Sequence, residues 1–274
     1  MTAVFVQLSD LHIREPGQLA YRQLDTADYL KKAIQSILTR QENVSAVVIT
    51  GDLVDFGRVQ EYEHLAQLLE PLAMPVYLLA GNHDHAEHLR QVFTHHSYLG
   101  TEGPIQYCVN IDSTCLIAID TSVSKASHGE LDEQRLQWLS DTLDQNQDKP
   151  VVVAMHHPPF LTGIQHMDQQ NLKVGAEAFK ALISQHKNVE HIICGHVHRP
   201  ICTQFGHTVA SIAPSPAHQV TLDLTPEGPS SWVLEPAGYR VLTAIQGQPI
   251  VNHLAYVASY DGPYPFYENG KLID

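Results

Sequence analysis

Histidine, aspartate and asparagine side chains recur directly after short apolar segments of this chain. The clearest case is Gly195-His196-Val197-His198, which follows Ile192-Ile193-Cys194. Four more motifs of this kind are Asp10-Leu11-His12, Gly51-Asp52, Gly81-Asn82-His83-Asp84 and His156-His157. Imidazole, carboxylate and amide groups bind metal ions. If the five motifs meet in space, they predict a metal site.

The motifs supply candidate ligands for two metal ions: Asp10, His12, Asp52, Asn82, His156, His196 and His198. With Asp52 as a bridge, each ion would have four protein ligands. One set is Asp10, His12, Asp52 and His198, and the other is Asp52, Asn82, His156 and His196. This mixture of oxygen and nitrogen suits Fe, Mn, Zn or Co better than Ca or Mg. We expect Fe or Mn, with Zn or Co as alternatives.

Two such ions define a type of chemistry. Ions about 3.5–4 Å apart form a clamp for in-line displacement at phosphorus. They bind the non-bridging oxygens, offset the charge that grows in the transition state and make hydroxide available near neutral pH. We therefore expect a metal-bound hydroxide to attack a phosphate ester.

The elements that must position these ligands read as strands alternating with helices. Strands are predicted at 3–9, 46–50, 76–79, 151–155 and 191–194, and helices at 25–40, 59–70, 87–92, 129–143 and 172–186. A hairpin is predicted from 105–109 and 115–119. The β-α-β-α-β order predicts a parallel sheet with right-handed crossovers. Ligands bind at the carboxyl ends of such strands, which is where the five motifs lie.

The sequence changes character after residue 200. Helical periodicity gives way to short β segments at 201–205, 208–212, 219–224, 231–234, 240–244 and 251–255. This tail either extends the sheet or forms a small β cap. We predict a catalytic core at residues 1–200 and, at 201–274, a β-rich completion of the sheet with a cap and oligomerisation tail.

The motif set resembles that of the calcineurin-like metallophosphoesterase superfamily over residues 3–200. Within it the chain looks most like bacterial class III cyclic nucleotide phosphodiesterases and related glycerophosphodiesterases. That closer match is carried by Gly51-Asp52-Leu53-Val54-Asp55 with Gly57-Arg58 and Glu61-Tyr62, by His156-His157-Pro158-Pro159 and by Ala217-His218-Gln219-Val220. The resemblance implies an α/β fold with a two-layered β-sandwich flanked by helices, phosphodiester hydrolysis, and homo-oligomers built through the cap and tail.

The resemblance also suggests roles for residues beside the ligands. His83 would stabilise charge at the substrate phosphate or protonate the leaving oxygen, and Asp84 would orient its ring. His157 should point away from the ligands and serve packing. Arg14 and His218 either reach the substrate or are plain loop residues.

Composition limits the partners. A formal charge of −14 argues against gripping long nucleic acid, although a small phosphorylated substrate remains compatible because bound cations reverse the local field. Apolar segments stay below the roughly 18 residues of a membrane span, and residues 1–5 have no charged leader, so we expect a cytoplasmic protein without a membrane partner. Cys108 and Cys115 could lie across the predicted hairpin from each other, but we expect all four cysteines to be free, buried thiols.

The main hypothesis is a phosphodiesterase for a small phosphodiester, either a 3′,5′-cyclic nucleotide or a glycerophosphodiester. A phosphomonoesterase or protein phosphatase could use the same ligands, since fold and ligands do not fix the substrate. A scaffold protein that has lost its chemistry is the third alternative, but no ligand is missing. The aromatic residues near the C-terminus stack on a nucleobase or, as we favour, line a subunit interface.

Overall fold

The computed structural model describes residues 2–41 and 43–273. The described helices are α1 (Thr26–Arg40), α2 (Val59–Leu69), α3 (Ala86–Val92), α4 (Glu133–Asp144), α5 (Gln165–Asp168) and α6 (Ala176–Gln185), with a 3₁₀ turn at Ser97–Leu99. The strands up to residue 200 are β1 (Thr2–Leu8), β2 (Ala46–Thr50), β3 (Val76–Leu79), β4 (Tyr107–Ile111), β5 (Thr114–Ala118), β6 (Gly129–Glu130), β7 (Val151–Ala154), β8 (Leu172–Val174) and β9 (Val189–Cys194). The later strands are β10 (Ile201–Phe205), β11 (Thr208–Ile212), β12 (Gln219–Val220), β13 (Trp232–Val233), β14 (Gly238–Ile245), β15 (Val251–Tyr256), β16 (Tyr267–Glu268) and β17 (Lys271–Leu272).

Two sheets form the centre of the molecule. One has the order β15-β14-β1-β2-β3, in which β1, β2 and β3 are parallel. The other has the order β10-β11-β9-β7-β5-β4, with four parallel strands between antiparallel edges. The parallel strands direct their carboxyl ends to one edge of each sheet.

Every residue of β5 is buried, and neighbouring side chains enter different cores, so its sheet is covered on both faces. Leu116 and Ala118 lie in the core that also contains the buried residues of β1 and β2. Ile117 lies in a second core, with Leu139 of α4 and Phe179 of α6. A strand buried on both sides reads as a continuous apolar segment. The expected two-layered sandwich flanked by helices is confirmed.

Aspartate caps set where two helices begin. The Asp25 side chain accepts a hydrogen bond from the Asp28 amide at 3.1 Å, and Asp132 accepts one from the Arg135 amide at 2.9 Å. A cap of this type satisfies an amide that the first helical turn leaves unpaired. The predicted start at residue 25 therefore agrees with α1.

The predicted helix at 172–186 is wrong in its first turn. Residues 172–174 form β8, which pairs with β6, and the helix begins only at Ala176. Between them Gly175 has a φ of 83°, and a Cβ there would collide with the Leu131 carbonyl. Apolar periodicity continued through this stretch and concealed the break, whereas the glycine was its signal.

The residues after 200 add strands to both sheets. β10 and β11 extend one sheet and β14 and β15 extend the other, while β12 and β13 form a small separate ladder. The tail therefore extends both sheets, and its role as a cap and oligomerisation tail stays a prediction. No helix among residues 2–41 and 43–273 has the length and apolarity to cross a membrane. Cys115 and Cys194 are buried free thiols, but Cys108 and Cys202 are exposed, so the expectation of buried cysteines is wrong for those two.

Candidate metal centre

The five ligand-bearing motifs converge where β1, β2, β3, β7 and β9 end. Backbone hydrogen bonds join the segments: the Asp10 amide donates to Gly51 O and the Gly195 amide to His156 O, each at 3.0 Å. Positive φ angles of 46–74° occur at Asp10, His12, Asp52, His196 and His198. Non-glycine residues rarely adopt this region, and such strain concentrates at functional sites.

One cluster contains Asp10, His12, Asp52 and His198, whose ligand atoms all lie within 4.8 Å of one another. His12 Nε2 is 3.2 Å from His198 Nε2 and 3.6 Å from Asp52 Oδ2. His198 Nε2 is also 3.5 Å from Asp10 Oδ1. These four residues are the set expected for one ion.

A second cluster joins His156, His196 and Asn82. Asn82 Oδ1 lies 3.1 Å from both His156 Nε2 and His196 Nδ1. His156 Nε2 also lies 3.4 Å from Asp52 Oδ2. The same oxygen of Asp52 therefore faces a histidine of each cluster, which is the arrangement that a bridging carboxylate needs.

Two glycines allow this close approach. A Cβ at Gly81 would collide with the side chain and amide of Asp52, and one at Gly195 would collide with Ser9 Oγ and lie 2.7 Å from Thr50 O. Glycine is required where backbone must come this near to a ligand. The glycines of the Gly-Asn-His and Gly-His motifs therefore have a steric origin.

Burial and neighbouring charges shift the pKa values of the buried candidate ligands in different directions. Burial raises the pKa of Asp10 to about 6, with Asp52 adding to the effect and His156 opposing it. Burial alone would lower the pKa of His156, but the Asp52 carboxylate outweighs it and raises that pKa to about 9. Burial lowers the pKa of His196 to about 3. The Asp52 charge thus attracts any cation that enters, a proton included.

Asp84 does not orient His83, contrary to the sequence-based expectation. Its carboxylate accepts hydrogen bonds from the amides of Gly81, Leu53 and Val54 and from the Tyr62 hydroxyl. Four donors already surround the carboxylate, so it is not available to the His83 ring. The same bonds join the loop after β2 to the loop after β3. Asp84 therefore supports the loops that carry Asp52 and Asn82.

Asp55 takes the orienting role instead. Its backbone oxygen lies 2.8 Å from His83 Nδ1, and its Oδ1 lies 3.2 Å from His12 Nδ1. Arg14 Nη1 binds Asp55 Oδ2 at 3.1 Å, so Arg14 helps to hold the carboxylate that contacts His12. Asp55 lies in the motif Gly51-Asp52-Leu53-Val54-Asp55, but no role was predicted for it from the sequence; its spacing of three from Asp52 was the available signal.

His157 is buried beside two candidate ligands, with a ring nitrogen within 4.8 Å of one from His156 and one from His196, but both of its ring nitrogens contact other groups. Its Nδ1 lies 2.8 Å from Thr121 Oγ1 and its Nε2 lies 3.2 Å from Ser127 O. Burial, with His196 and His156 nearby, lowers its pKa well below the usual value. Both ring nitrogens already have partners, which agrees with a packing role.

A cavity of about 320 Å³ opens onto both clusters. Beyond the candidate ligands and His83, its lining includes Tyr21, His166, Met167, Gln170, His218, Val220, Ser230, Ser231 and Trp232. Tyr21 stacks on Trp232 with ring centroids 5.4 Å apart, and its hydroxyl lies 3.2 Å from His218 Nε2. Of these wall residues the sequence singled out His218, and its motif also contains Val220. The others lie in turns, in loops or in elements of two to four residues, which are too short to show periodicity.

A larger groove of about 1060 Å³ lies elsewhere, between the starts of β7 and β9 and the turn after β14. None of the clusters of His, Cys, Asp or Glu found among the described residues lines it. The smaller cavity, which the candidate metal ligands line, is therefore the candidate active site.

Comparisons with known proteins agree with this geometry. The sequence profile of the calcineurin-like phosphoesterase family matches residues 3–200. The chain is 36% identical to the probable glycerophosphodiester phosphodiesterase GpdQ of Arcobacter nitrofigilis, over 99% of this chain and 100% of that protein. It is 30% identical to a probable cyclic nucleotide phosphodiesterase of Rhodopseudomonas palustris, over 94% of each chain.

The fold is shared more widely. A dimetal phosphatase from Danio rerio superimposes with a TM-score of 0.69 at 17% identity, covering 93% of this chain and 96% of that one. This likeness concerns the fold. The profile match and the full-length relatives decide the family: the chain belongs to the calcineurin-like phosphoesterases.

Proposed function

We propose that this chain is a dinuclear metal-dependent phosphodiesterase that hydrolyses small phosphodiesters. The observation that carries the proposal is the single oxygen, Asp52 Oδ2, that faces His12 at 3.6 Å and His156 at 3.4 Å. A carboxylate shared between two histidine-containing clusters is suited to bridge two cations.

The hydrogen bonds around the rings support cations at these places. His12 Nδ1 faces the Asp55 carboxylate and His198 Nδ1 faces His218 O, so both rings carry their proton on Nδ1. Their Nε2 lone pairs then face each other across 3.2 Å, beside two carboxylates. His156 repeats the pattern, with Nδ1 on Thr50 O and Nε2 toward Asn82 and Asp52. Lone pairs and carboxylates that converge in this way fit a metal ion.

The seven residues would then hold two ions as the sequence suggested, with Asp52 in both sets. Asp10 Oδ2 is buried without a hydrogen-bond partner, which leaves it for a ligand bond. Bound cations would supply Lewis acidity for the phosphoryl oxygens and hydroxide near neutral pH. The oxygen and imidazole donors favour Fe or Mn, with Zn or Co as alternatives.

His83 is the proposed acid or charge-stabilising group. It lines the cavity with 38% of its side chain exposed, and its backbone amide donates to Asp52 Oδ1 at 2.9 Å. Its Nδ1 is engaged by Asp55 O, so Nε2 remains for an ester oxygen. A ring held beside the ligands but outside their set can act on the substrate.

The cavity argues for a small ester. Its volume of about 320 Å³ is at the low end for a ligand pocket, and the Tyr21–Trp232 stack walls one side. Such walls suit the two alcohol groups of a small diester better than a protein surface. Two relatives are named as a probable glycerophosphodiester phosphodiesterase and a probable cyclic nucleotide phosphodiesterase, so glycerophosphodiesters and cyclic nucleotides are the two substrate classes to test.

A comparison of ester types tests the proposal. Metal-free protein is reloaded with Mn, Fe, Zn or Co in turn, and steady-state rates are measured on bis(p-nitrophenyl) phosphate and on p-nitrophenyl phosphate. We expect the diester to be preferred and chelation to abolish both activities. A preference for the monoester of about tenfold or more, which corresponds to about 1.4 kcal/mol in activation free energy, would identify a phosphomonoesterase. Cyclic nucleotides and glycerophosphodiesters are then compared on the best metal.

A further inference from the structure

The β4–β5 hairpin brings two cysteine sulfurs together. Cys108 Sγ lies 3.1 Å from Cys115 Sγ. The register pairs Cys108 with Ile117 and Asn110 with Cys115, so the two cysteines are diagonal neighbours on one face of the hairpin. Cys115 also pairs with Val151 at the start of β7, and the candidate ligands lie beyond the other end of β7. The sulfur pair is thus remote from the candidate metal centre.

The two sulfurs differ in solvent exposure and in the pKa of the thiol. Cys108 is exposed and Cys115 is buried. The hydrogen bond from the Cys115 thiol, with help from Lys149 and Asn146 and against the effect of burial, lowers the pKa of Cys108 to about 7. The thiolate is the nucleophilic form of cysteine. The accessible sulfur is therefore also the reactive one, and its neighbour is in place to attack it.

We propose that Cys108 and Cys115 form a reversible oxidation site, which a low-molecular-weight disulfide such as glutathione disulfide converts into an intrachain disulfide. The Cys108 thiolate attacks one sulfur of glutathione disulfide, whose S–S bond breaks and releases one glutathione thiolate. The Cys115 sulfur then attacks the Cys108 sulfur and displaces the second glutathione, which takes up the Cys115 proton. Two protein thiols are oxidised, and one disulfide is reduced to two thiols.

The geometry favours the second step over a lasting adduct. The sulfurs must close from 3.1 Å to a bond length of about 2.05 Å, a movement of about 1 Å. Cys202 provides the contrast within the same chain. It is exposed on β10 opposite Ser211, so a glutathionyl group placed there has no neighbouring thiol on the paired strand to displace it.

Intact-mass spectrometry of the full chain tests this proposal. The Cys202→Ser protein is incubated with excess glutathione disulfide, then denatured in N-ethylmaleimide and weighed. We expect it to lose two hydrogen atoms, to block two maleimide additions relative to the reduced protein, and to retain no glutathionyl group. Dithiothreitol should restore the reduced mass.

The matched control is Cys108→Ser/Cys202→Ser, which removes only exposed thiols and keeps buried Cys115. Circular dichroism verifies the fold of both proteins. The control should keep its reduced mass. The proposal is overturned if the Cys202→Ser protein remains fully reduced, or if it accumulates a stable glutathionyl adduct in place of the disulfide.

Discussion

At the scale of single residues, the candidate site depends on which atom of each side chain is left free. Asp52 offers Oδ2 to both clusters because its Oδ1 is occupied by the His83 amide at 2.9 Å. His12 offers Nε2 because Asp55 engages Nδ1. Hydrogen-bond partners outside the ligand set thus select the ligand atoms, as they do in metal sites generally.

His83→Ala should separate catalysis from metal binding. Since His83 lines the cavity outside the proposed ligand set, we expect kcat to fall roughly 100-fold or more while two ions per chain remain. His85→Ala is the matched control, because His85 is an exposed histidine two residues away that stacks on His88 instead. Turnover on bis(p-nitrophenyl) phosphate and metal analysis are the measurements. Equal loss of turnover in both variants would refute the role.

Asp55→Ala should weaken metal binding without removing a proposed ligand. The His12 ring loses the carboxylate that fixes its Nδ1 proton, so we expect metal affinity to fall about 10–100-fold in chelator competition. Asp144→Ala is the control: it removes a carboxylate 3.2 Å from His186 Nε2, far from the centre. An unchanged affinity in Asp55→Ala would show that the contact has no orienting effect.

The residue types and their order along the chain predicted where the candidate ligands would converge. The orientation of His83 was beyond the sequence, because its Nδ1 is held by the backbone oxygen of Asp55, which only the folded loops bring to the ring, while the Asp84 carboxylate is occupied by backbone amides. Trp232 is a similar case. It reaches the cavity from a two-residue strand that has no periodic signal.

At the scale of elements, the strands were the most predictable part. β2 and β7 are short apolar segments buried on both faces, and β9 ends in the buried apolar residues 192–194. These segments predict strands, and the ends of the strands follow from them. Helix boundaries were less certain where the apolar pattern continued through a turn and concealed it, as at Gly175. Pairing of the distant tail with β1 was left open because β14 reaches β1 across the whole chain.

One buried histidine on β9 makes the stability of this element depend on pH. His191 Nε2 lies 3.0 Å from both Ser211 Oγ and Asn252 Nδ2. Burial, with Arg240 adding to it, lowers the pKa of His191 from 6.5 to about 4. Between these values the unfolded chain binds a proton that the native chain does not. The contribution of neutral, buried His191 to the free energy of unfolding is therefore fully present above pH 6.5 and is lost as the pH falls below that value.

His191→Gln should reduce this pH dependence. From pH 7 to pH 5 the wild-type free energy of unfolding should fall by about 1–2 kcal/mol more than that of the variant. Urea unfolding of the metal-free proteins at both pH values measures the difference. His207→Gln, at the exposed turn between β10 and β11, should behave like wild type. Parallel pH curves for wild type and His191→Gln would contradict the prediction.

At the scale of the whole molecule, the C-terminal segment leaves apolar side chains in water. Tyr264 is 73% exposed and Phe266 is 81% exposed, beside the small β16–β17 hairpin. Arg40 holds the start of this segment through the carbonyls of Tyr256 and Ala258. Large exposed aromatics are enriched at protein interfaces, so we propose that a second copy of the chain covers them.

Tyr264→Ser/Phe266→Ser should therefore lower the mass of the particle in solution. Light scattering after gel filtration measures that mass, and we expect a homo-oligomer for the wild type and a smaller species for the variant. Leu38→Ser is the control, because Leu38 is an isolated apolar residue that is 44% exposed on α1. A monomeric wild type, or an unchanged oligomer in the double variant, would exclude this interface.

Anomalous diffraction from crystals of the manganese-loaded protein tests whether two ions share Asp52. We predict two anomalous peaks about 3.5–4 Å apart on either side of the Asp52 carboxylate. One peak should lie against His12 and His198 and the other against Asn82, His156 and His196. A single peak, or two peaks that do not contact Asp52, would contradict the account.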